Sequence, residues 1–168
     1  LLIAGIFSYQ LSNHSTARVS ILDVDDGISV VVTANHQTAI IGCNAYSDYT
    51  AYQYLKGHGI HHIDYLQPLS DETTEYQNLA KLNEQFQTKN LILPNGQYFA
   101  GDFEKSLEEV EKISYYEKSA KTILNDDVTI EVYSDAKGSY TVLRVKEIRI
   151  LILSSEYDLT NINLDLND

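Results

Sequence analysis

The sequence predicts one mixed α/β domain, on three observations. Its 168 residues, 43% of them hydrophobic, are enough for one packed domain and too few for two ordinary ones. Apolar residues alternate as in β-strands from Arg18 onward, and the same pattern returns after about residue 112. Between these regions, strand and helix patterns follow one another in turn, which is typical of βαβ units with parallel pairing.

Three consecutive strands open the predicted domain. Their segments are RVSILDV, ISVVVTA and TAIIGCN, with turns at residues 25–27 and 35–37. Because connections this short join neighbouring strands that run in opposite directions, the opening is predicted to be antiparallel.

A helix, a strand, a second helix and another strand follow. The first helix is predicted to begin at a cap, Ser47 or Asp48, and to end near residue 58, where two glycines occur. The strand IHHIDYLQPL is closed by Pro68. Residues 74–87 form the second helix, with apolar side chains at helical spacing, and NLILP is the next strand.

The remainder is predicted to be a loop, a helix and a second run of strands. Residues 95–102 contain two glycines and indicate the loop, and residues 103–112 are a charged helical stretch. The strand candidates that follow are ISYYEKS, KTIL, DVTIEVYSD, SYTVLRVKE and RILILSS.

Charge disfavours direct binding to nucleic acid. The chain has 24 acidic and 12 basic side chains, a formal net charge of -12. A phosphate backbone would be repelled by this field unless a basic stripe overrode it locally, and the lysines and arginines are scattered singly.

Three of the five histidines, His58, His61 and His62, lie within five positions. We expect them in an exposed turn and solvated, since successive residues of a strand point to opposite faces and His61 and His62 would then not share an ion. A weak adventitious nickel or zinc site is the alternative. The single Cys43 lies in an apolar run and is expected to be a buried, inert thiol.

Two segments carry a family resemblance. Residues 59–79 read GIHHIDYLQPLSDETTEYQNL, and residues 18–28 read RVSILDVDDGI. Together they resemble the metallo-β-lactamase-like domain of ComEC-type DNA-uptake competence proteins, in which LDVGQGD ends the first strand and IDYLVLTHPHADHIGGL follows. The frame matches without a gap. The motif's three histidines are replaced by Ser70, Glu72 and Glu75, and its aspartate by Thr74.

The resemblance implies a fold and its limits. It spans about residues 18–158 and ends near Ser154, Ser155 and Glu156, which stand where the family has the tripeptide TGD. It implies a degenerate first half of an αββα sandwich, a mixed β-sheet with helices on one face and nothing to cover the other. A bare apolar sheet face is costly, at about 25 cal/mol per Å². We therefore expect a homodimer through that face, or cover from the missing half of the parent chain.

The absence of the motif's histidines determines which site is predicted. Imidazole suits zinc far better than a hydroxyl or a lone carboxylate, so no metal, cofactor or catalytic residue is predicted. Glu72 and Glu75 are interpreted as part of a solvated acidic turn, and Glu156 as a surface carboxylate. The alternative is a hard divalent cation, magnesium or calcium, held by Asp71, Glu72, Glu75 and Glu156.

Residues 1–17 are predicted to be an apolar stub and connector, and residues 18–168 the degenerate domain. In the family a soluble domain follows the last membrane helix, so the resemblance implies that residues 1–11 end such a helix. An amphipathic or buried N-terminal helix is the alternative.

The predicted function is that of a non-catalytic, membrane-associated bacterial domain. The resemblance implies a ComEC-like protein in which this domain has a structural or partner-binding role in DNA uptake, next to the membrane channel domain of its parent. It leaves open on which side of the membrane the domain lies. The alternative function is a metal-dependent phosphodiesterase or nuclease that uses the carboxylates named above.

Overall fold

A computed structural model describes residues 17–24, 27–44, 47–96, 101–135 and 138–154. Within these ranges the chain forms two β-sheets and three α-helices. The predicted N-terminal stub, the turn at residues 25–26 and Glu156 lie outside the described residues.

The first sheet has six strands, and their order in the sheet follows their order in the chain. The first three strands pair antiparallel and the last three add in parallel, which confirms both predicted pairing patterns. The strands are β1 (Arg18–Val24), β2 (Gly27–Ala34), β3 (Gln37–Ile41), β4 (Ile63–Gln67), β5 (Thr88–Pro94) and β6 (Lys112–Tyr116).

Three helices connect the parallel strands: α1 (Ser47–Gly57), α2 (Thr73–Phe86) and the short α3 (Asp102–Ser106). They share a core with one face of the first sheet, where apolar residues of the helices meet those of the strands. This core includes Ala51, Leu55, Leu79, Leu82, Phe86 and Phe103 with Val31, Ile40, Leu66, Leu91 and Leu93.

The helix predicted at residues 103–112 is shorter than expected. It ends at Ser106 and continues only as a 3₁₀ turn over Leu107–Glu109, after which Val110 is extended with φ -82° and ψ 128°. The chain becomes extended here because β6 then pairs with β5 along five residue pairs. Ladder hydrogen bonds to a neighbouring strand have outweighed local helical preference.

The second sheet is a four-stranded antiparallel meander in which the strands follow their order in the chain. Consecutive strands of this sheet pair antiparallel, as four of the five strand patterns after residue 112 predicted, whereas the first of those patterns, ISYYEKS, forms β6 of the first sheet. The strands are β7 (Ser119–Asn125), β8 (Val128–Asp135), β9 (Gly138–Val145) and β10 (Ile148–Leu153).

The meander packs on the face of the first sheet that the helices leave free. Val30, Val32 and Ile41 share a core there with residues of the second sheet, including Ile130, Leu143 and Ile152. A buried hydrogen bond joins the two sheets, from the Gln67 amide to the Thr141 hydroxyl at 3.0 Å. The expectation that nothing covers this face is therefore wrong, and burying it requires no second copy. The homodimer itself stays a prediction.

Helices, first sheet and second sheet thus form three layers. This arrangement confirms the predicted fold class, a mixed sheet with helices on one face in half of an αββα sandwich. Among the described helices, none combines the length and the apolar character that a membrane span requires.

Candidate functional site

The residues that stand at the family's metal-ligand positions lie between the carboxyl end of β4 and the first turn of α2. Asp71 and Thr74 are exposed, Glu72 is half-buried, and Ser70 is buried. Glu72 is the N-cap residue of α2, with extended backbone and no capping hydrogen bond from its side chain. Exposure of Asp71 agrees with the predicted solvated acidic turn.

Glu75 differs from its neighbours because its exposed fraction is 0%. One carboxylate oxygen, Oε1, accepts hydrogen bonds from the backbone N–H groups of Cys43, at 3.0 Å, and Leu69, at 2.7 Å. The other, Oε2, accepts from the backbone N–H of Ser70 at 2.8 Å and from its hydroxyl at 2.5 Å. The expectation that Glu75 belongs to a solvated turn is wrong, since four donors of the chain surround its carboxylate.

These hydrogen bonds hold three segments together: the residues after β3, the residues after β4, and helix α2. A fifth bond reinforces the junction, from the Asn78 side-chain amide to the Cys43 carbonyl at 2.9 Å. We call this junction the Glu75 network: Cys43, Leu69, Ser70, Glu75 and Asn78. Cys43 is buried, as predicted, and its backbone N–H and carbonyl take part in the network.

Gly42 lets the residues after β3 reach the network. Its φ is +73°, a conformation that glycine adopts without strain. A Cβ atom at this position would lie 3.1 Å from the Leu69 Cβ and 3.2 Å from the Ile28 carbonyl oxygen. The close approach of the two loops therefore depends on the missing side chain.

Burial and hydrogen bonding act in opposite directions on Glu75. Loss of water around the carboxylate raises its pKa, while the bonds from Ser70, Leu69 and Cys43 lower it, and the balance is a raised pKa. Tyr116, at the end of β6, is also buried. Burial raises the pKa of Tyr116 to about 12, a hydrogen bond with Ser139 lowers it, and the charge of Glu75 raises it further.

The donor set does not fit the metals that the family resemblance implies. A carboxylate offers about four lone-pair sites, and four N–H and O–H donors already occupy those of Glu75. Nowhere in the described ranges do three or more histidine, cysteine or acidic side chains lie close enough together to hold a metal ion. The structure therefore does not bring Asp71, Glu72 and Glu75 together as ligands.

The sequence does contain an indication that Glu75 is buried. Glu75, Leu79, Leu82 and Phe86 are separated by four, three and four residues, which places the acid on the same helical stripe as the buried apolar residues. An acid on the buried stripe of a helix must be neutralised or surrounded by donors. The partners themselves could not be read, because they come from two distant loops.

Comparison with known proteins supports the fold. No protein-family model matches the chain, and no curated protein matches its sequence. Among solved structures, a metallo-β-lactamase with a HARLDQ motif from Cronobacter sakazakii has a TM-score of 0.60 at 12% identity. The match covers 85% of this chain and 63% of that one.

Two further structures are named as metal-containing proteins. A metal-soaked flavodiiron core from Synechocystis has a TM-score of 0.56 at 14% identity, over 80% of this chain and 42% of that one. Zn²⁺-bound PqqB from Methylobacterium extorquens has a TM-score of 0.54 at 12% identity, over 87% and 53%. The chain thus spans roughly half the length of these structures.

Identities this low bear on the fold alone, and the specific resemblance to ComEC-type proteins stays a prediction. The helix, sheet and sheet layers, together with these neighbours, establish a partial metallo-β-lactamase-like fold.

Proposed function

We propose that this chain is a non-catalytic metallo-β-lactamase-like domain in which the Glu75 network replaces the metal centre. The observation that carries the proposal is the saturation of the Glu75 carboxylate by four donors of its own chain. A buried carboxylate with this many donors joins the loops after β3 and β4, and it stands at a position where the motif of the resembled family has a histidine.

A hydrolytic metal needs ligand lone pairs that face the ion, and an open position for water. In this chain the lone pairs of the Glu75 carboxylate accept hydrogen bonds from the backbone N–H groups of Leu69 and Ser70. Ser70 is itself a donor to the carboxylate, so its hydroxyl serves the network. The network therefore stabilises the loops and supplies no activated water.

The proposed biological role is structural or partner-binding, in a ComEC-like competence protein of a bacterial membrane. The ungapped frame around IDYL supports this assignment, and the net charge of -12 favours a protein partner over direct contact with DNA. The proposed partners are the membrane channel domain of the parent protein and either a second copy of the domain or the missing half of the parent chain.

Metal analysis tests the proposal. The purified protein is stripped with a chelator, dialysed against zinc, manganese, magnesium and calcium in turn, and measured by elemental analysis. We expect no stoichiometric metal. The metal-bound states of two structural neighbours favour the alternative, a hydrolase that uses Asp71, Glu72, Glu75 and Glu156. One or two ions retained per chain, and lost in Glu72→Ala or Glu156→Ala, would establish that alternative and reject ours.

A further inference from the structure

A second concave site lies at the opposite end of the first sheet. The Glu75 network is at the carboxyl ends of β3 and β4, whereas this cavity lies at their amino ends, beside the turn between β2 and β3 and the loop after α1. Its volume is about 350 Å³, within the range of about 300 to 1,000 Å³ that small-molecule sites occupy. We call it the histidine cavity.

The lining of the histidine cavity contrasts in charge with the rest of the chain. It contains Arg18 and four of the chain's five histidines, His36, His58, His61 and His62. Of the described residues that line it, none is an aspartate or a glutamate, although the chain carries 24 acidic side chains against 12 basic ones. Histidine as a side-chain type gains charge between about pH 8 and pH 5, and this lining offers four imidazoles beside one guanidinium.

The tertiary structure brings these histidines together in one cavity. We expected His61 and His62 to diverge on a strand, but β4 begins only at Ile63, and both histidines precede it and line the same cavity. His36 joins them from the β2–β3 turn, where Asn35 and His36 have φ of 50° and 62°. Glycine is preferred at the second position of such a turn, so a histidine there costs on the order of 1 kcal/mol.

His58 is held in a defined orientation. Its Nδ1 lies 2.8 Å from the Tyr54 carbonyl oxygen, and its ring stacks on the Tyr54 ring with centroids 4.0 Å apart. The Tyr54 hydroxyl in turn is 2.6 Å from the Ser20 hydroxyl. Because the carbonyl can only accept, Nδ1 carries the proton of this hydrogen bond.

Two charged side chains on adjoining strands, Asp64 and Lys89, affect the electrostatic potential in the cavity. Asp64 of β4 places Oδ1 at 3.4 Å from His62 Nε2, and this carboxylate also accepts from the Lys89 ammonium at 2.8 Å and the Thr38 N–H at 2.8 Å. Asp64 is buried and already paired with Lys89. This carboxylate therefore acts mainly on His62, the lining residue that it contacts.

We propose that the histidine cavity binds a small, multiply charged anion of the phosphoryl class, and binds it more tightly as pH falls below about 7. Guanidinium and imidazolium groups donate charge-assisted hydrogen bonds to phosphoryl oxygens, and Arg18 provides a charge at every physiological pH. The same arginine repels metal cations. This site is independent of the Glu75 network.

Calorimetric titration with inorganic pyrophosphate tests the proposal, using the full chain at constant ionic strength at about pH 6 and about pH 8. We expect binding near one to one at the lower pH and at least ~10-fold weaker binding at the higher pH, as the imidazoles lose charge. Arg18→Gln and His58→Gln should each weaken binding at the lower pH by about fivefold or more.

Lys118→Gln is the matched control, since it removes the same unit charge from an exposed residue outside the cavity. Its affinity should equal that of the unsubstituted chain. Circular dichroism checks that each variant is folded; if His58→Gln is not, the exposed Arg18 decides the test. Any of three results would overturn the proposal. The first is absence of pyrophosphate binding at about pH 6, and the second is a loss of pyrophosphate affinity in Lys118→Gln equal to that in Arg18→Gln. The third is Zn²⁺ binding that depends on His58 without any pyrophosphate binding.

Discussion

Replacing Glu75 by glutamine is the sharpest test of the Glu75 network, because the two side chains have nearly the same shape. The amide NH₂ must stand where one carboxylate oxygen stood. At Oε1 it would face two backbone N–H groups, of Cys43 and Leu69; at Oε2 it would face the Ser70 N–H, while the Ser70 hydroxyl could turn and accept. The second placement is the better one, and it still leaves one buried N–H without an acceptor.

An orphaned buried donor costs about 1–3 kcal/mol, and the remaining bonds lose the strengthening that a charged acceptor gives. Relief from burying a charge offsets part of this, since burial raises the pKa of Glu75. We therefore expect Glu75→Gln to lower the free energy of unfolding by about 2 kcal/mol. For a domain of this size the loss corresponds to a fall in Tm of roughly 4–8 °C.

Urea and thermal unfolding, followed by circular dichroism, measure the effect. Glu72→Gln is the control, because it makes the same chemical change three residues earlier, on a half-buried side chain that accepts a hydrogen bond from the exposed Thr74 hydroxyl at 3.4 Å. Its stability should change by less than about 0.5 kcal/mol. A Glu75→Gln variant as stable as the original chain, or equal losses in both variants, would refute the structural role of Glu75.

Two further predictions concern the same junction. Because the pKa of Glu75 is raised, the folded state binds the carboxyl proton of Glu75 more tightly than the unfolded state does. The stability that protonated Glu75 contributes is therefore complete below the ordinary glutamate pKa of 4.5, and it is lost as pH rises through the pKa of the folded state. The stability difference between the original chain and Glu75→Gln, measured by urea unfolding at a series of pH values, should therefore shrink as pH rises; a difference independent of pH would contradict it. Gly42→Ala should destabilise the fold by about 2–3 kcal/mol, because it adds a tight contact with Leu69 to the strain of a positive φ. Gly96→Ala, with φ +81° and no atom of the described residues within 4 Å of the added Cβ, should cost only about 1 kcal/mol, and equal costs in urea unfolding would show that the contact is unimportant.

The two proposed sites have separate tests, and their results can be combined. Elemental analysis bears on the Glu75 network, and pyrophosphate titration on the histidine cavity at the other end of the sheet. Because the two sites share no residue, Glu75→Gln should leave pyrophosphate binding unchanged if the variant is folded.

Elements determined by local pattern agree with the sequence predictions. The strand β1 has the predicted bounds, Arg18–Val24, and α2 buries the three apolar residues that helical spacing selected, Leu79, Leu82 and Phe86. Alternation and helical periodicity are properties of neighbouring residues, so they survive folding when the partner surface is apolar. The helix predicted at residues 103–112 failed because pairing with β5 decided its last residues.

The sequence by itself determined the order of strands and helices, the loss of the histidines from the metal motif, and the acidic character of the chain. Only the tertiary structure decided what covers the second face of the first sheet, which donors surround the Glu75 carboxylate, and which histidines share a cavity. The reason is physical. Each of these features joins segments far apart in the chain, such as Cys43 with Glu75 or His36 with His61, and local periodicity carries no information about which distant backbone groups will meet.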